Sequence, residues 1–163
     1  MSGQQRDLTF HNFGEVRSEV ESLLRLGYKP VGKWDLAQVC NHLADWLTFP
    51  VDGFPKAPLP IRIVLWALSK TIAPGQFRKM LETGKMRAGT PTIPETVSAS
   101  GGDVAKAVDR FLKALDRFEA HHGPYHPSPL FGSVDQETAT RLQLIHAAHH
   151  LSFLIPVMDG QTA

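Results

Sequence analysis

A chain of 163 residues with one cysteine and a formal net charge of +1 is long enough to bury a core without disulfides. Its 42% hydrophobic and 20% charged residues are those of an ordinary globular protein, with neither the basic excess of a nucleic-acid binder nor an acidic tail, so no nucleic-acid partner is expected. Eight histidines against two tyrosines are the imbalance to explain, because imidazole is the side chain most often recruited to metals and proton transfer.

Asn12 followed by Glu15 resembles a capping box, and Phe13, Val16, Val20, Leu23 and Leu24 recur at helical spacing until Gly27. YKPVGKW breaks this first helix. From Asp35 a second periodic run, Leu36, Val39, Cys40, Leu43, Trp46 and Leu47, continues until Pro50 is expected to end it. A proline-rich loop, VDGFPKAPLP, opens into an apolar segment over residues 61–73, expected to be helical, stopped by APG and followed by a short helical piece over 76–82. Residues 84–102, rich in Gly, Pro, Thr and Ser, read as a long irregular crossover. Asp103 caps a further amphipathic helix reaching about His121. Asp135 caps a last helix, carried through Leu142, His146 and Phe153 until Pro156. Four main helices without a convincing strand pair predict an all-α, four-helix bundle with a long crossover, residues 1–163 forming one domain.

The longest apolar run, residues 61–68, is interrupted by Arg62 and falls short of the roughly 20 residues that span a bilayer, so no membrane partner is expected. The lone Cys40 and the start MSGQQRDLTF, which lacks a secretory layout, make the cytoplasm the expected compartment. Cys40 itself reads as a small core residue, about 200° around the helix from His42 and unable to share a metal with it. Trp46 and Trp66 read as core rather than as stacking surfaces.

The chemistry is concentrated in LIHAAHHLSFL, residues 144–154. His146 and His150, four apart, can turn their rings to one point in space, as two ligands of one metal must. His149 shares their face; it is an alternative to His150 as ligand, but its spacing suits packing or supporting a ligand better. Ala147 stands where HExxH would need its glutamate, which excludes a protease mechanism of that type. His42, in NHLADW on the second helix, is the candidate third ligand, with Asp45 one turn later as a carboxylate to hold its ring. Standing alone, His42 would more commonly be a hydrogen-bonded residue at a stripe edge, and His11, His121, His122 and His126 fall in loops where exposure is the ordinary explanation. With one cysteine and no CxxC, a closed structural zinc site is disfavoured.

KWDLAQVCNHLADW resembles the second-helix motif of the DinB/YfiT-like superfamily, and HAAHHLSFL resembles its final HxxxH helix. DGFP at 52–55, HPSPLFG at 126–132 and the closing HHLSFL are similar to one branch of that superfamily over nearly the whole chain. The resemblance implies a four-helix bundle that holds a divalent metal, zinc or nickel, through His42, His146 and His150. It also implies a metal-dependent enzyme acting on a small-molecule substrate, a transferase using a low-molecular-weight thiol such as bacillithiol or mycothiol, or a hydrolase activating water. The competing expectation is a non-catalytic bundle that binds metal or a small ligand in a stress response. Association into a homodimer is likewise an expectation of the resemblance.

Overall fold

A computed structural model of the chain describes residues 4–87 and 96–157. Among these the chain is mostly helical, with α1 (Phe13–Leu26), α2 (Leu36–Asp52), α3 (Leu59–Lys70), α4 (Ala73–Thr83), α5 (Val104–Glu119) and α6 (Gln136–Leu151), and two three-residue strands, β1 (Tyr28–Pro30) and β2 (Leu154–Pro156). The all-α expectation holds in outline. The helix count differs: α3 and α4 are separate, complete helices, and APG opens α4 instead of stopping the helix before it. Prolines occupy the first turns of both, where a missing N–H costs nothing.

The other four helices begin where their caps predict. Asn12, Asp35, Asp103 and Asp135 accept through their side chains from the backbone N–H of Glu15, Gln38, Lys106 and Thr138, at 3.0, 2.8, 3.0 and 2.8 Å. At α2 the capping box is reciprocal, with Asp35 N donating to Gln38 Oε1 at 3.1 Å. At α1 the Glu15 carboxylate instead accepts from the backbone N–H of His11, one residue before the cap.

Pro50 does not end α2, contrary to the expectation. The helix runs on to Asp52 and stops at Gly53, whose φ of 107° suits a residue without Cβ. A proline inside a helix leaves the carbonyl four residues earlier without its backbone donor. Here that carbonyl is Trp46 O, and the Gln143 side-chain amide of α6 donates to it at 2.9 Å. The Pro50 carbonyl in turn accepts from His126 N at 2.8 Å.

The strands were not expected. β1 and β2 pair antiparallel, Tyr28 opposite Pro156, Lys29 opposite Ile155 and Pro30 opposite Leu154. Val157 N donates to Gly27 O and Val31 N to Phe153 O, extending the ribbon at both ends. α6 accordingly ends at Leu151, before the strand, and not at Pro156.

One apolar cluster joins α1, α2, α5 and α6, with Phe111, Phe118, Leu23, Leu36, Leu43, Leu115 and Leu151 almost fully buried. Each such side chain stabilises the fold by roughly 1.5–3 kcal/mol relative to exposure. α5 lies against α2 and α1, and α6 against α2 and α1. On α6 the core takes Ala139, Leu144, Ala147 and Leu151, of which the last three lie well around the helix from His146. His146 and His150 form a second packed face turned toward His42 of α2. α3 has no buried residue, and Trp66, expected in the core, is 64% exposed. No helix among the described residues is long and apolar enough to cross a membrane.

Candidate metal centre

The capping box at Asp35 starts α2 so that His42 falls two turns in, on the side facing α6, where it is 1% exposed. His146 and His150 project from successive turns of α6. The three rings converge by their Nε2 atoms: His42 to His146 is 3.2 Å and His150 to His146 is 3.0 Å. One nitrogen from each residue lies within 4.8 Å of the others, and no cysteine or carboxylate among the described residues joins the group.

A hydrogen-bond account of this cluster is incomplete. Neutral imidazole Nε2 carries either one N–H or one lone pair, yet His146 Nε2 faces two other Nε2 atoms at bonding distance. It can satisfy one of them. A shared cation satisfies all three. Two nitrogens each about 2.1 Å from one ion stand about 3.0 Å apart at a right angle and about 3.4 Å apart at the tetrahedral angle, a range that contains both observed separations. The donor set is thus chemically suited to a divalent metal, with three protein ligands and no fourth among the described residues.

Electrostatics agree with geometry. Burial pulls His42 down from 6.5 to about 4 and His150 to about 2, and drives His146 well below its ordinary value, with the neighbouring imidazoles adding to the shift. All three are neutral near pH 7, the state in which imidazole is a ligand.

Two elements missed by sequence reasoning hold the site. Thr96 Oγ1 lies 2.9 Å from His42 Nδ1, the only ring nitrogen of His42 turned away from the cluster, and fixes that ring as ligand-supporting groups do. The segment carrying Thr96 is tied to the head of α2, because Gln38 Nε2 donates to Ser98 O and Gly101 N donates to Asp35 Oδ2, both at 2.8 Å. Residues 88–95 of the expected crossover lie outside the described residues. Trp34, just before the cap, stacks on His150 at 5.0 Å and 7°, and tilts over His42 at 4.9 Å. Trp46 meets His146 edge-on at 5.5 Å. The indoles wall the imidazoles on two sides.

A family model described as a protein of unknown function (DUF1569) matches residues 2–157. The chain belongs to DUF1569. No curated protein and no solved structure matches it.

In this DUF1569 protein the remaining candidates separate from the cluster. Asp45, expected to hold the ring of His42, pairs with Arg110, whose other nitrogen donates to Asn41 O at 3.0 Å. The reason is position: Arg110 of α5 reaches α2 on the side where Asp45 lies, and takes its carboxylate. His149 packs edge-on against His150 at 4.9 Å and Phe153 at 5.5 Å, and its Nδ1 is buried without a hydrogen-bond partner among the described residues. It borders a cavity of about 250 Å³ on the far side of α6, shared with Arg6, Lys85 and Ser152 and touching none of the converging histidines. Cys40 is fully buried and its thiol is pushed up to about 12 by burial, which removes it as a nucleophile.

Proposed function

We propose that the protein is a metal-dependent enzyme with a DinB/YfiT-like four-helix bundle built from α1, α2, α5 and α6, in which His42, His146 and His150 hold a divalent ion, zinc or nickel. The observation carrying this reading is the convergence of three neutral imidazole nitrogens with no fourth protein donor among the described residues. When bound, such an ion supplies Lewis acidity that lowers the pKa of a thiol or water beside it. The chain contributes the rest. Thr96 orients His42, while Trp34 and Trp46 keep water from two sides of the imidazoles and offer flat apolar walls to a small substrate.

No carboxylate among the described residues stands with the three imidazoles, and Asp45 is engaged by Arg110. Among the described residues the cluster therefore has no carboxylate to act as general base. A low-molecular-weight thiol, with an ordinary pKa of about 8.5, needs far less help to ionise than water does. That difference supports thiol transfer to a small electrophile over hydrolysis.

Tag-free protein grown with zinc or nickel is expected to carry about one equivalent of metal per chain, and His146→Ala less than about 0.2. Conjugation of a low-molecular-weight thiol to a chloro-dinitrobenzene or bimane electrophile should then follow metal content. Equal metal in both proteins sinks the reading.

The cavity on the far side of α6 favours a second reading. It lies away from the three histidines, which suits a bundle that holds metal for stability and serves a stress response by binding instead of catalysis. In that case metal raises the melting temperature, thiol and hydrolase substrates go unturned, and His42→Ala costs stability alone.

A further inference from the structure

Residues 53–87 carry seven Lys and Arg against the lone Glu82, a net +6 in a chain of net +1, which leaves −5 for the remainder. This basic stretch is the α3–α4 arm. α4 is fastened to the body: Phe77 stacks on Phe131 at 4.8 Å, and Arg141 donates to Leu81 O at 2.6 Å. α3 is not. Of the eight large hydrophobic side chains exposed among the described residues, six, Leu59, Ile61, Ile63, Val64, Trp66 and Ile72, belong to α3 or its end, at 51–66% exposure. A helix apolar on this scale is ordinarily buried or in contact with lipid.

The charges around it identify the occupant. Leu59, Ile63, Trp66 and Lys70 follow one another along a single stripe, with Arg62 beside it and Lys56 just before the helix. Lys56, Arg62, Lys70, Arg78 and Lys79 have no ion-pair partner among the described residues. Several acids of the body are engaged, Glu19 by Arg6, Asp45 by Arg110, Asp52 by Arg117 and Asp116 by Arg17, while the exposed Glu21 and Glu137 have no ion-pair partner among the described residues. The body of a second copy is acidic overall but offers its charge dispersed and largely paired, with nothing among the described residues for the apolar stripe to enter. An array of anionic headgroups over acyl chains answers both features at once, the unpaired cations and the apolar stripe with its tryptophan.

We infer that the α3–α4 arm docks the protein on an anionic lipid surface, α3 lying in the interface without crossing it. The inference is independent of the metal site. It revises the expectation of no membrane partner, which rested on the absence of a spanning segment.

The test is co-sedimentation of the full chain with vesicles of phosphatidylcholine alone or mixed equally with phosphatidylglycerol, alongside light scattering for oligomeric state. Binding is expected to the mixed vesicles, weakening as salt rises from about 0.1 to about 0.5 M. Ile63→Glu/Trp66→Glu should lower partitioning more than about ten-fold. Arg62→Glu/Lys70→Glu should lower it at least about five-fold for each cation reversed, and it keeps the test open should the first variant fold poorly. Three results overturn the inference: no binding to mixed vesicles, equal binding to both vesicle types without salt dependence, or a dimer that Ile63→Glu/Trp66→Glu dissociates.

Discussion

His42, His146 and His150 lose their protons to burial, and this has a price in acid. Their folded values lie below the ordinary 6.5, at about 4 for His42, about 2 for His150 and well below 6.5 for His146, so from about 6.5 down to about 4 the unfolded chain binds more protons than the folded one. Stability is full above this window and falls with pH inside it, by roughly 1.4 kcal/mol per histidine per pH unit. Urea melts of metal-free protein at about pH 7 and about pH 5 should show the midpoint dropping, and a constant midpoint would mean that the imidazoles are solvated. Thr96→Val removes the hydroxyl on His42 Nδ1 while keeping shape, and is expected to weaken metal binding about 10- to 100-fold, with helical content by circular dichroism unchanged. Competition with a chromophoric chelator measures it. At this scale the sequence was half legible. The pairing of His146 with His150 follows from helix geometry alone, whereas His42 depends on which helices face each other, which no local pattern reveals. Thr96 carried no signal, because a hydroxyl in an aperiodic segment looks like any loop residue, and Asp45 misled because its spacing from His42 was sound while Arg110, which takes it, lies 65 residues away.

Helix starts were legible where a side chain caps them and ambiguous where proline does the work. Asn12, Asp35, Asp103 and Asp135 each place a carbonyl or carboxylate oxygen on a free N–H, a local interaction that spacing reveals. Pro50 is the opposite case: read locally it ends α2, and only Gln143, from a helix nearly a hundred residues on, supplies Trp46 O with a donor and lets the turn continue. Gln143→Leu should therefore cost about 1–3 kcal/mol in chemical denaturation. Adding Pro50→Ala returns a backbone N–H to that carbonyl and is expected to recover most of the loss, and strict additivity of the two changes would refute the account. Phe111→Ala, in the middle of the α2–α5 contact, should cost about 3–5 kcal/mol. α6 hid its core side because apolar residues and imidazoles surround it, leaving no amphipathic period to read. The β1–β2 pair was equally hidden, since three residues per strand carry no alternation and their partners are remote in sequence.

For the molecule as a whole, the three converging histidines lie on two helices that the core already presses together, so an ion bound there would stabilise the folded state and little else. With free metal at about 100 times its dissociation constant the gain is about 2.7 kcal/mol, or roughly 5–10 °C in melting temperature at this chain length. Scanning calorimetry with and without chelator should show that shift, and His42→Ala should abolish the difference. The distance along the chain between the ligands, 104 residues from His42 to His146, has a further consequence for how the ion is acquired. During synthesis at about 5–20 residues per second, roughly 5–20 s pass between the two histidines. A solitary imidazole on a nascent helix grips no ion for that long. Under the proposed reading, loading would be a late event of the protein's life, decided by whichever ion the cell offers once α6 has come home, and the choice of metal would belong as much to the cell's supply at that moment as to the imidazoles themselves.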